Sequence, residues 1–308
     1  MEFQHTSVLL AEAVDALAVE EGGLYVDCTL GGGGHTAEIL RRGGRVIGID
    51  RDGEAIEAAA RRIGPDPAFE AIRANYVSLK AIAEKKMIVG KVAGVLFDLG
   101  VSSHQLDDPS RGFSYHTDAA LDMRMDTREE LSAKKLVNEA SEAELSRILF
   151  EYGEEKMARA IARAIVERRK IREIESTLEL SEIIKEAMPP KMRRDKHPAK
   201  RSFQAIRIAV NGELSGLPPA LEAAYEILKP GGRLAVITFH SLEDRIVKNF
   251  FRDMETGCTC PPEFPVCVCG KTPRMKSVIR KPLEAGKEEL ETNPRARSAK
   301  LRAGEKIK

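Results

Sequence analysis

The hydrophobic positions of this chain alternate between two spacings from about residue 24 onward. Residues 24–30 (LYVDCTL) form a short apolar run that predicts a buried strand, and HTAEILRRG follows at helical spacing. RVIGID (45–50) predicts a second strand, GEAIEAAARRIG a helix closed by Gly64, FEAIRANY a third strand, SLKAIAEKKM a helix, and VAGVLFDLG (92–100) a fourth strand. This alternation predicts a parallel sheet with helices on both faces. After Gly112 the strands stop. Residues 128–190 are rich in Glu, Lys, Arg and Ala at helical spacing. Within them SEAELSRILFEYG opens with Ser141 and Glu144 in capping-box spacing and is expected to stop at Gly153. The sheet pattern returns with a helix over PPALEAAYEIL, a Lys-Pro-Gly-Gly turn and a fifth strand over 233–239; SVIRK and SAKLRAGEKI predict a terminal hairpin. The expected division is therefore an α/β domain of residues 1–112 and 213–308, interrupted by a helical insertion of residues 113–212.

The first strand runs into TLGGGGHT. Consecutive glycines lose more backbone entropy on folding than other residues do, so a run of them marks a turn where the backbone is approached closely. Strand, Gly-rich turn and helix N-terminus together favour an anionic or oxygen-bearing ligand group, and Asp50 at the end of the second strand is placed to grip ribose hydroxyls. Gly32, Gly34 and Ala37 satisfy G-x-G-x-x-G/A, so this segment alone fits a nicotinamide dinucleotide as well as S-adenosylmethionine. Asp27, just before the turn, favours S-adenosylmethionine: a carboxylate suits an ammonium group and repels a pyrophosphate. Asp98 closes the fourth strand at the same edge, followed by small polar residues. An acceptor there can align the lone pair of an exocyclic amine, which is otherwise delocalised into its ring.

Composition adds less than distribution does. Across 308 residues, 49 Lys and Arg nearly balance 48 Asp and Glu. Residues 191–211 nevertheless carry net +6 and residues 271–308 net +7, the footprint of a polyanionic partner. Lys200, Arg201, Arg207 and Asn211 lie in the first of these segments and Arg295 and Arg297 in the second, and all six are expected at RNA, with a salt-bridged seam as the other reading of Arg207 and Asn211. No secretory leader or membrane-spanning run is read, so a soluble, cytoplasmic protein is expected. Cys258, Cys260, Cys267 and Cys269 crowd one loop, as a zinc site or as free thiols or reversible disulfides; Cys28 reads as a small core residue. His240 and Ser241 after the fifth strand either reach a substrate base or cap the next helix.

The strings DCTLGGGGHT, GIDRD, LFDLGVSSHQLDDPSRGFSY, LDMRMD, YGEE, RSFQAIRIAVNGEL, LKPGGRLAVITFHSLEDRIVK and NPRARSAKLR resemble the MraW family of ribosomal RNA small subunit methyltransferases, from about residue 5 to the C-terminus. The resemblance implies a Rossmann-like class I methyltransferase sheet with an inserted helical substrate-recognition domain. It further implies S-adenosyl-L-methionine-dependent N4-methylation of a cytidine in 16S ribosomal RNA near the decoding centre, in the small subunit or an assembly intermediate. Cofactor contacts carried over are Gly33, Gly34, His35, Asp50, Tyr76, Asp98 and Gln105, with Tyr76 standing where the family commonly has Phe. His35 contributes either its imidazole or only its backbone N–H. Other amino-methyltransferases place Asp/Asn-Pro-Pro-aromatic after the fourth strand, whereas this chain has Asp98-Leu-Gly-Val. Asp98 is accordingly read as orienting the target amine, the methionine moiety, or both. Two further readings stand beside this one, an NAD-dependent dehydrogenase and a non-catalytic RNA-binding assembly factor.

Overall fold

A computed structural model of the chain describes residues 7–193, 197–261, 263–266 and 268–308. The chain forms two compact units, Met1–Gly100 with Leu214–Lys308, and Val101–Glu213. The first holds a seven-stranded sheet in the order β3-β2-β1-β4-β5-β7-β6. Its strands are β1 (Leu24–Asp27), β2 (Arg45–Asp50), β3 (Phe69–Arg73), β4 (Val92–Asp98), β5 (Leu228–Thr238), β6 (Met275–Ser277) and β7 (Lys300–Lys306). Strands β1 to β5 are parallel, and β7 runs antiparallel to both β5 and β6. This is a Rossmann-like α/β sheet.

Successive residues of a strand point to opposite faces, and here both faces are covered. Tyr25 joins the core on one side of β1 and Val26 the core on the other; Leu96 and Phe97 divide in the same way along β4. All four are buried. That explains why these strands read as continuous apolar runs instead of alternating ones. Strands β1, β3 and β4 end earlier than their predicted runs do. β3 stops at Arg73 because Asn75 caps a 3₁₀ turn over Tyr76–Ser78, accepting from the Val77 N–H at 3.1 Å. All five parallel strands present their carboxyl ends at one edge, which positions Asp27, Asp50 and Asp98 there.

The second unit is helical: Ala133–Glu139, Glu142–Gly153, Ala158–Arg169, Thr177–Ala187 and Lys200–Asn211. They enclose a core of their own in which Ile161, Ile165, Leu180, Ile184 and Ile206 are fully buried. Ser141 caps the second of these helices, accepting from the Glu144 N–H at 3.1 Å. The helix stops at Gly153, as expected, and Gly153 also has a second role. The left-handed residue is Glu154 (φ 49°), while a Cβ on Gly153 would come within 2.8 Å of the Arg201 carbonyl oxygen. The glycine lets the Glu142–Gly153 and Lys200–Asn211 helices approach.

This unit begins at Val101, before the expected break after Gly112. The reason lies in Arg111, whose guanidinium donates to the carbonyls of Arg124 (3.1 Å) and Met125 (3.2 Å), while the Met123 N–H donates to the Arg111 carbonyl at 3.0 Å. Gly112 sits at φ +71°, where a Cβ would meet the Ala120 carbonyl oxygen at 2.3 Å.

Asn211, expected at RNA, turns its amide into the same arrangement. It donates to the Met123 carbonyl (2.8 Å) and the Arg207 carbonyl (2.9 Å) and accepts from the Met125 N–H (2.7 Å). Arg207 is likewise engaged internally, its guanidinium forked onto Glu213 at 3.0 and 2.8 Å with both side chains largely buried. Arg207 is thus in a salt bridge and Asn211 in amide hydrogen bonds, both within the second unit. Removing the amide would strand the Met125 N–H and the Met123 carbonyl. Asn211→Ala should therefore lower unfolding stability by roughly 2–4 kcal/mol in denaturant titration. A change too small to measure would return Asn211 to the surface.

Candidate functional site

Three adjacent strands deliver the central acids. Asp27 ends β1, flanked by β2 and β4, whose last residues are Asp50 and Asp98. Asp27 is buried; its Oδ2 accepts from the Thr36 hydroxyl at 2.8 Å and its Oδ1 from the Thr29 N–H at 3.2 Å. Burial nonetheless pushes its pKa up to about 6, with the nearby Asp50 charge adding to the shift. Asp50 accepts from the Gly31 N–H (2.8 Å) and the Asp52 N–H (2.9 Å), one on each oxygen, and burial raises its pKa too. A carboxylate has about four lone-pair sites, so both oxygens retain capacity for ligand hydroxyls.

Asp98 is likewise disfavoured as a charge. Burial, then Asp27, Glu243 and Glu289, hold its pKa well above the usual carboxylate range. Its Oδ1 is buried without a hydrogen-bond partner among the described residues. Such an atom is costly to leave alone, and a ligand N–H or cation would satisfy it. Its Oδ2 lies 3.6 Å from Nδ1 of His35. The other ring nitrogen of His35, Nε2, is 3.1 Å from the Val8 carbonyl. A carbonyl only accepts, so Nε2 carries a proton there and, in the neutral ring, Nδ1 is the acceptor turned toward Asp98.

Between these acids runs the glycine turn. Leu30 N–H donates to the Ile49 carbonyl and Gly33 N–H to the Leu30 carbonyl, and the Asp98 N–H donates to the Thr29 hydroxyl. Gly33 is left-handed (φ +74°), and a Cβ on it would meet the Ala59 side chain at 3.0 Å. On Gly34, which opens the Gly34–Arg41 helix, a Cβ would fall 1.9 Å from the Ser7 hydroxyl oxygen. The neighbours that exclude side chains here are thus the protein's own residues. The glycines bring the Gly53–Ile63 helix and residue 7 against the turn, leaving a helix N-terminus at the acid edge.

Tyr76 follows β3 at this edge, its ring edge-on to Phe97 (5.8 Å between centroids) with the Arg51 guanidinium 5.6 Å from its centroid. Gln105 belongs to the second unit, where it closes a capping box with Ser102: Ser102 N–H donates to its Oε1 and its N–H to the Ser102 hydroxyl, both at 3.1 Å. His240 itself is the cap of the Ser241–Glu255 helix, paired reciprocally with Glu243, and Ser241 is the first helical residue. Lys200 and Arg201 are exposed on the first turn of the Lys200–Asn211 helix, Arg201 donating to the Glu154 carbonyl at 3.1 Å. Arg295 and Arg297 are exposed on the 3₁₀ turn Pro294–Ser298 of the first unit. Sequence reasoning missed Thr29 and Thr36; the available signal was two threonines flanking the glycine run that follows Asp27.

A profile of the MraW methylase family matches residues 2–307. The chain is 55% identical over 309 residues to the ribosomal RNA small subunit methyltransferase H of Carboxydothermus hydrogenoformans, covering 100% of this chain and 99% of the relative. It is 54% identical to the protein of that name from Clostridium botulinum strain Kyoto, with 100% of both chains covered. The Symbiobacterium thermophilum counterpart is also 54% identical, over 100% of this chain and 98% of its own length. Among the described residues no helix is long and apolar enough to cross a membrane.

Asp27 gives the site a measurable pH signature. An acid whose pKa is raised by folding contributes stability below its unfolded pKa of about 4 and loses it as pH rises through the folded value of about 6. The ionised carboxylate then costs roughly 3 kcal/mol at pH 8 without ligand. Asp27→Asn cannot ionise, and the Thr36 hydroxyl can turn to accept from its amide. The variant should gain stability over the parent at pH 8 and lose that advantage near pH 4. Denaturant unfolding at the two pH values checks this; a pH-independent difference would refute the buried charge.

Proposed function

The chain belongs to the MraW methylase family, and on that footing we propose that it methylates N4 of a cytidine in 16S ribosomal RNA near the decoding centre. It is an S-adenosyl-L-methionine-dependent methyltransferase of ribosomal RNA. The observation that supports the finer reading most directly is the unpartnered, desolvated oxygen of Asp98 at an acidic strand edge. When bound, the cofactor supplies a methyl group on a positively charged sulfonium.

In this reading the residues divide the work. Asp27 and its neighbours favour a cationic ligand over water. Asp50 holds the ribose hydroxyls, the Gly33–Gly34–His35 backbone faces the methionine portion, and Tyr76 walls the adenine. Asp98 Oδ1 accepts an N–H of the target amine, turning its lone pair toward the methyl carbon. The nitrogen sheds a proton as the new bond forms. The Asp98 carboxylate and the acceptor nitrogen of His35, 3.6 Å apart, can hold it.

A nicotinamide dinucleotide is disfavoured because its pyrophosphate would meet these acids, with repulsion unscreened by water. A non-catalytic assembly factor would leave the desolvated Asp98 without a use. Lys200 and Arg201 sit where the helix dipole is already positive, with no acidic residue in the first turn. An RNA phosphate relieves that clash, either in the small subunit or in an assembly intermediate.

Mass mapping of methylated nucleosides in ribosomal RNA from cells with and without the protein tests the target directly. Loss of a single N4-methylated cytidine is expected, and an unchanged nucleoside profile would reject the assignment. Asp98→Asn should lower kcat by about 10²–10³-fold with little change in KM for RNA. Recovery of kcat at saturating S-adenosylmethionine would instead assign Asp98 to the methionine ammonium. Charge-removing substitutions at Lys200, Arg201, Arg295 and Arg297 should each reduce the log–log salt slope of RNA binding by up to about one, with cofactor affinity unchanged. A wild-type slope would exclude phosphate contact.

A further inference from the structure

Residues 256–274 join the Ser241–Glu255 helix to β6 without a helix or strand among the described residues. The segment is tied at its far end, where the Arg274 N–H donates to the Met254 carbonyl at 2.8 Å. Its apolar side chains do not form a core. Phe264, Val266 and Val268 are 49%, 70% and 74% exposed. Three cysteines, by contrast, converge: the sulfurs of Cys258, Cys260 and Cys269 all lie within 4.8 Å of one another. We propose that these three thiols are a binding site for a soft divalent cation, Zn²⁺, which cross-links the loop.

The geometry distinguishes a metal site from a bridge between Cys258 and Cys269. Their sulfurs are 3.7 Å apart, far beyond the roughly 2.05 Å of a disulfide. Four sulfurs at about 2.3 Å from a tetrahedral zinc stand about 3.8 Å from each other, so the observed separation is that of two corners of such a tetrahedron.

The backbone is arranged for sulfur that carries charge. Thr259 N–H points at the Cys269 sulfur (3.5 Å), Cys260 N–H at Cys258 (3.4 Å) and Val268 N–H at Cys260 (3.3 Å). Each of the three sulfurs thus faces one amide donor. A donor aimed at sulfur stabilises a thiolate more than a neutral thiol, because the acceptor is then ionised. An all-sulfur set with no carboxylate selects zinc over magnesium or calcium. Binding converts three S–H groups to thiolates, three S–Zn bonds form, and three protons leave to solvent. Cys267 lies outside the described residues, and the site stands on the other three.

The test uses the full chain, purified with reductant from zinc-supplemented cells. Atomic emission should find about one zinc per chain, and Cd²⁺ added to metal-stripped protein should give a sulfur-to-cadmium charge-transfer band in the near ultraviolet. Cys258→Ser, Cys260→Ser and Cys269→Ser should each weaken zinc retention against a competing chelator by at least about tenfold. S-adenosylmethionine affinity should stay at the parent value, which verifies that the variants are folded. Metal-free parent protein showing no cadmium band would overturn the site. So would undiminished zinc in the triple serine variant, or a disulfide among the three cysteines in the reduced preparation.

Discussion

Holding carboxylates largely out of water at one edge of a sheet is the constraint around which the first unit is organised. Asp27, Asp50 and Asp98 are brought together because the strands are parallel and adjacent, and each is less stable charged than it would be in water. The local structure is bent to limit that penalty. Backbone N–H groups of Thr29, Gly31 and Asp52 and the Thr36 hydroxyl all point at the acids. The glycine turn supplies two of these donors, so turn and acids stabilise each other. What remains uncompensated, the Asp98 oxygen, is where positive or N–H-bearing ligand groups gain most.

Much of this was legible in the sequence. Strands buried on both faces show as apolar runs, and their order of appearance with intervening helices limits the topology. The carboxyl-end acids stand out because a charged residue closing an apolar run is unusual. The reason for the glycines was less accessible. Gly33 and Gly34 are required by contacts with Ala59 and Ser7, residues distant from one or both glycines in sequence, and no local pattern encodes that approach. Gly153 shows the same effect: the helix stops there as its sequence suggests, but the helix crossing that also requires a glycine is encoded in no local pattern.

The basic segment around residue 200 shows the other way in which sequence falls short. Charge and spacing put Arg207 and Asn211 together with Lys200 and Arg201, yet the four divide by burial. The helix turns Arg207 and Asn211 inward to Glu213 and the Met123–Met125 loop, and leaves Lys200 and Arg201 exposed. A one-dimensional count of cations cannot tell which of them already has an anion. The second unit begins earlier than the strand pattern suggests, and Arg111 is anchored by carbonyls that follow it in sequence.

The insertion also shapes the order in which contacts can form. β4 and β5 are hydrogen-bonded neighbours, yet residues 101–213 separate them. Their pairing closes a loop the size of a domain before it gains a single ladder bond, and that entropy is lost in advance. The helical unit has no such delay, because its chain is continuous and adjacent helices pack on one another. Any compaction of the inserted unit before β4 meets β5 would shorten the loop that their pairing has to close, so the entropy of joining two neighbours in the sheet depends on a unit that contributes no strand to it.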